Sequence, residues 1–182
     1  MKPLPQSIQA HLTSAGLLLL RLVFGGFMLF GHGWSKLMNF SLISSHFPDP
    51  IGIGSTMSLV ITIISEVVFS AFVMVGFKTR LATIPMIVTM AVAAFIIHGQ
   101  DTFFMGSSGA SKEPALLFLT GYCSILLMGG GLFSVDTYRK KKTEIASVNL
   151  KHLQASPSRS EPSHESSSSS LSPDGEDSKG PF

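Results

Sequence analysis

One cysteine in 182 residues, Cys123, leaves no partner for an intrachain disulfide and no thiol cluster for zinc or an iron–sulfur centre. It lies inside an apolar stretch and reads as a small hydrophobe in helix packing. Acidic residues are scarce as well: residues 1–142 hold five Asp and Glu against ten Lys and Arg. There is no HExxH run, no glycine-rich phosphate loop and no identifiable Ser-His-Asp arrangement. Metalloprotease, phosphate-loop and serine-hydrolase chemistry therefore have no basis in the sequence. The basic run from Arg139 to Lys142 is better explained as a membrane anchor than as a nucleic-acid contact.

What the chain has in excess is hydrocarbon. It is 45% hydrophobic with a mean hydropathy of +0.40, which places it among membrane proteins. Since a membrane helix needs about 20 mostly apolar residues, four spans are predicted, at about 14–36, 55–77, 81–98 and 113–133, giving an all-α integral membrane four-helix bundle. The first is read as uncleaved, because Arg21 interrupts it and no small-residue cleavage site follows before Trp34 and Lys36. Pro85 is expected in the first turn of the third, where its missing N–H is harmless. The fourth opens at Glu113-Pro114 and stops at Gly129-Gly130-Gly131.

An even number of spans puts both termini on one side. That side carries Lys2, Lys78, Arg80 and Arg139 to Lys142, and the opposite loops carry only Lys36 and Lys112, which predicts cytoplasmic termini in a bacterial plasma membrane. The loop 37–54 is expected to lie on the mouth of the bundle, since Phe47, Ile51 and Ile53 have apolar surface to bury. Residues 143–182 hold twelve serines and carry a net charge of −3, so a basic anchor from 139 is expected to lead into a disordered Ser-rich tail.

Lipid offers a charge no partner, so Arg21, His32, Glu66 and His98 are expected to face the bundle interior. At about 100° per residue Arg21, Gly25, His32 and Lys36 share one stripe. Depth estimates place an Arg21–Glu66 ion pair near mid-membrane and an outer group of His32, Lys36, His98 and Glu113; uncertain span ends leave Glu66 within reach of His32 instead. Two uses are open to each residue. Arg21 with Glu66 either fixes helix register or serves function directly. Lys36 either binds a ligand or snorkels to headgroups, and Glu113 either binds or complements a helix dipole. His98 either exchanges protons or bonds backbone at its helix end. His32 is the preferred proton-exchange candidate, with His98 second. Two His and a Glu drawn from three helices, with no local ligand motif, give no case for a metal.

Arg21-Leu22-x-x-Gly25, then Gly31-His32-Gly33-x-x-Lys36-Leu37, Glu66, Gly76-Phe77-x-Thr79-Arg80 and His98 occur in that order. With Lys112-Glu113-x-Ala115-Leu116-Leu117-Phe118-Leu119 and Phe133-Ser134-Val135-Asp136, they resemble the DoxX family of small bacterial membrane proteins over residues 14–138. The resemblance implies a four-helix integral membrane protein. One branch of the family is a subunit of thiosulfate:quinone oxidoreductase, and other members associate with membrane redox or thiol-stress assemblies. It therefore implies an accessory subunit of a quinone-linked system, with quinone or quinol as a reversible ligand, no covalent cofactor, a partner subunit, and self-association left open. The competing expectation is a non-enzymatic scaffold or a proton or small-solute pathway.

Overall fold

The computed structural model describes residues 5–104 and 109–155, and the side chains only as far as 152. The described chain is helical apart from a single parallel bridge, Thr102 to Ser111. Three helices are long and apolar enough to cross a membrane: α1 (Gln6–Met38), α2 (Ser55–Val75) and α3 (Thr79–Ile97). A shorter apolar helix, α4 (Glu113–Met128), follows, and then a polar one, α5 (Val135–Ala155). One helical turn, Phe40–Ile43, interrupts the loop between α1 and α2.

Several boundaries differ from expectation. α1 begins at Gln6 rather than near Ser14, because nothing from Gln6 to Thr13 breaks a helix. α4 ends at Met128, where Gly129 turns the chain with φ of 80°. Thr79 already opens α3, so Pro85 lies inside the helix rather than in its first turn. Residues 143–155, expected as tail, continue the α5 helix, and Glu144, Lys151 and the neighbouring Lys and Arg suit a solvated helix well. The rest of the expected tail, 156–182, lies outside the described residues.

The helices pack through small residues and aromatic rings, as helices do where lipid supplies no hydrophobic drive between them. A Cβ on Gly25 would lie 2.5 Å from Met74 Cγ, and one on Gly33 would lie 2.9 Å from the Glu66 carbonyl carbon, so α1 and α2 touch along a glycine seam. Gly121 similarly admits the Phe24 ring between α1 and α4. The core consists of Met28, Val73, Ala82, Met86, Met90, Tyr122 and Ile125, with Phe24, Phe69, Phe72 and Phe118 packed against it. The Tyr122 hydroxyl donates to the Phe24 carbonyl oxygen at 3.1 Å, which satisfies its polar end in an apolar setting.

Each long helix contains one π-helical stretch: Phe27–Gly33 in α1, Ile64–Phe69 in α2 and Ala93–Ile97 in α3. Such stretches are one-residue insertions into an α-helix and often mark functional positions. Here they sit just before Lys36, around Glu66 at the middle of α2, and just before His98; those of α1 and α3 lie toward the same end of the molecule. That end is called the lid end below; the opposite one, where α2 meets α3, is the clasp end.

Candidate functional site

The segment between α1 and α2 folds over the lid end because Asp49 is tied down. Its carboxylate accepts hydrogen bonds from the backbone N–H of Ile53 (3.1 Å) and Gly54 (2.6 Å) and from the Ser58 hydroxyl (2.8 Å). The Ser58 hydroxyl first, and then those N–H groups, hold the Asp49 carboxyl below its ordinary range. Gly54 has φ of 97°, a conformation that suits glycine, and α2 starts at the next residue. Asp49 thus fixes the loop to the first turn of α2.

Beneath this lid lies a cavity of about 310 Å³. Phe47, Pro48, Pro50 and Ile51 roof it, and α2 and α3 supply walls that include Ile61, Val88, Ala93 and Ile97. Its ionisable lining residues are Lys36, Glu66 and His98. Lys36 Nζ donates to both carboxylate oxygens of Glu66, at 2.7 and 2.6 Å. The carboxylate is nearly sealed, at 4% exposure, and the ammonium side chain is 24% exposed. His98 ends α3, where its backbone N–H closes the π turn onto the Ala93 carbonyl at 2.9 Å. Its Nδ1 lies 2.7 Å from Asp101 Oδ2. An ionised carboxylate only accepts, so Nδ1 carries the hydrogen, and in the neutral ring Nε2 is then the acceptor.

This arrangement corrects the two expected tiers. Glu66 pairs with Lys36 and not with Arg21. α1 runs eight residues further than expected at its N-terminal end, and Arg21 stands level with the last turn of α2 rather than its middle. There the fully buried guanidinium donates to the carbonyl oxygens of Met74 (3.3 Å) and Phe133, capping α2 and holding the segment after α4. Gly76 completes the fit: with φ of 73° and a Cβ position that Arg21 Nη1 and Ser134 already fill, it excludes other side chains. Asp136 closes the clasp. Its carboxylate accepts from the N–H of Lys78 (2.7 Å) and Thr79 (2.8 Å) and from the Thr79 hydroxyl (2.8 Å). Burial alone pushes the Asp136 carboxyl up, but these bonds outweigh it and hold it below the ordinary carboxylate range.

His32 also departs from expectation. Buried α1 residues run Ser14, Leu17, Arg21, Gly25, Met28 and Gly33. The last step is five residues, the π insertion, so Gly33 takes the inward position that a regular helix gives His32. His32 instead meets the Phe118 edge on α4, ring centroids 5.4 Å apart, and does not line the cavity. Glu113 opens α4 and is not a lining residue either. Sequence reasoning missed Asp101, Asp49 and Asp136. Asp49 and Asp136 bond backbone N–H groups at or just before the starts of α2 and α3, whereas Asp101 bonds the His98 ring. The described residues contain no group of three His, Cys, Asp or Glu placed to hold a metal.

Apolar helices packed around buried charge, with a lid over an apolar cavity, define a multi-pass helical membrane protein. The DoxX family model matches residues 16–99, the stretch from within α1 to just past His98, which supports the resemblance to that family. No curated protein and no solved structure matches the chain.

Proposed function

We propose that this chain is a four-span accessory subunit of a quinone-linked redox assembly in the bacterial plasma membrane, its clasp end cytoplasmic and its lid end outward. The observation that supports this best is the cavity under the lid: apolar, at the small end of ligand-site size, with a few convergent polar groups. Ile61, Val88 and Ile97 line it and are also 50%, 56% and 39% exposed. The cavity therefore reaches the lipid-facing surface between α2 and α3, which suits a ligand arriving from the bilayer.

A bound quinone couple supplies two-electron, two-proton chemistry. Lys36 has three N–H donors; two rest on Glu66, and the third is available to a carbonyl oxygen in the cavity. His98 Nε2 is placed to take a hydroxyl proton, and Asp101 at Nδ1 stabilises the charged ring that results, as a carboxylate does behind a catalytic imidazole. Electrons are exchanged with a partner subunit.

Trp34, the only tryptophan, stands two residues before Lys36 and reports on this end of the bundle. Purified protein titrated with a short-chain benzoquinone is expected to show saturable Trp34 quenching. His98→Ala and Lys36→Met are expected to weaken it about tenfold, and His32→Ala to leave it unchanged. Non-saturable quenching, or equal loss in His32→Ala, would refute the proposal.

A further inference from the structure

A second basic feature lies at the clasp end, apart from the cavity under the lid. Lys78, Arg80, Arg139 and Lys140 surround a groove of about 610 Å³ floored by Gly129, Gly130 and Gly131. Two of the cations are held in place. Arg80 Nη2 donates to the Leu127 carbonyl oxygen at 3.2 Å, and the Arg139 guanidinium lies 5.5 Å from the Phe77 ring centroid. Glycine at 129 lets Arg80 lie along the backbone, since a Cβ there would sit 3.4 Å from Arg80 Nε. The carboxylate in the groove, Asp136, already accepts three hydrogen bonds from Lys78 and Thr79. A second anion therefore meets three net positive charges rather than a neutral pair.

The groove's apolar walls indicate what kind of anion. Leu81 and Met128 line it and are 59% and 51% exposed, at the ends of two apolar helices. Phosphate-binding cations beside exposed hydrocarbon at the level where helices leave the membrane match a phospholipid, headgroup on the basic residues and acyl chain on the helices. We infer that this groove is a binding site for an anionic phospholipid. Basic clefts between helices at the cytoplasmic surface recognise such headgroups, where juxtamembrane Lys and Arg also act more diffusely.

Lys141 and Lys142 separate a built site from diffuse attraction. They lie on the same helix and carry the same charge but do not line the groove. The full-length protein in detergent, supplied with phosphatidylglycerol or phosphatidylcholine, would be assayed by native mass spectrometry for retained lipid, with melting temperature confirming folding. Phosphatidylglycerol is expected to be retained in preference to phosphatidylcholine. K78Q/K140Q is expected to lower retention roughly tenfold and K141Q/K142Q less than twofold. Equal loss in the two double variants, or equal retention of both lipids, would overturn the inference. So would displacement of the lipid by an equal concentration of inorganic phosphate, which would assign the site to the free anion.

Discussion

Breaking the Lys36–Glu66 pair is expected to be asymmetric, because its two ends are differently placed. Lys36→Met leaves a carboxylate at 4% exposure with no counter-charge, whereas Glu66→Gln leaves an ammonium whose side chain is 24% exposed. The stranded carboxylate has no counter-charge and no route to solvent, and removing one partner of a buried pair in this way costs about 3–5 kcal/mol. The stranded lysine can swing its ammonium toward the membrane surface, so Glu66→Gln is expected to cost only about 1–2 kcal/mol. The double variant, K36M/E66Q, removes both charges and is expected to be more stable than Lys36→Met alone. Cys123 is partly buried in α4, and its reaction with a thiol-reactive dye reports unfolding in detergent. Melting would be followed at pH 7.5 for the four proteins. Equal losses in the two single variants, or a double variant no more stable than Lys36→Met, would refute the reasoning.

The other consequences are local. Gly33→Ala places a methyl 2.8 Å from Val67 Cγ2 and 2.9 Å from the Glu66 carbonyl carbon, so a loss of about 1–3 kcal/mol is expected; an unchanged melting temperature would mean the seam is looser than it looks. Asp136 is held below its ordinary range, so its contribution is complete above about pH 3.8 and is lost as pH falls through the lower folded value. Asp136→Asn should therefore cost about 1 kcal/mol at pH 7, the scale of a lost helix cap, and the gap from the parent protein should close as pH falls below the ordinary carboxylate range. Asp49 follows the same sign, with its lid contacts present near neutrality and lost in acid. Asp49→Ala should raise amide exchange at Ile53 and Gly54 at pH 7, and unchanged exchange would show that the lid does not depend on this carboxylate.

Much of the fold follows from patterns that survive any change of register. Apolar length locates α1, α2 and α3, and the proline and glycines bracket α4, because each signal is local to its helix. Helix pairing across the bundle is harder to read. Whether Glu66 meets Arg21 or Lys36 depends on how far α1 slides along α2, and the slide is set by where α1 begins. Gln6 to Thr13 carries no lipid-like run to announce itself. Lys36, Glu66 and His98 were legible as inward charges. Asp101 was not, since a lone acid in a loop acquires meaning only when the π turn of α3 brings His98 back over it.

His32 is the case where helical geometry itself misled, and the reason is testable. A regular α-helix from Met28 buries the residue four positions on, His32; the π stretch Phe27–Gly33 adds one residue, and Gly33 is buried instead. Deleting one residue inside that stretch should therefore restore a regular helix while both flanks keep their faces. Phe30 is the best choice, being 66% exposed and outside the core. Its deletion puts Gly33 four positions after Met28, with Arg21 still at the clasp and Lys36 still at Glu66. Deleting Leu19, equally peripheral at 64% exposure, removes a residue from regular helix and rotates Leu17 and Ser14 by about 100° relative to Arg21. The Leu132 N–H would then lose its 3.1 Å bond to the Ser14 hydroxyl. The Phe30 deletion should melt within a few degrees of the parent and keep its quinone titration, and the Leu19 deletion should melt much lower. If both deletions were equally damaging, the π stretch would not be an insertion held against a fixed register. The exclusion of His32 from the cavity would then need another cause.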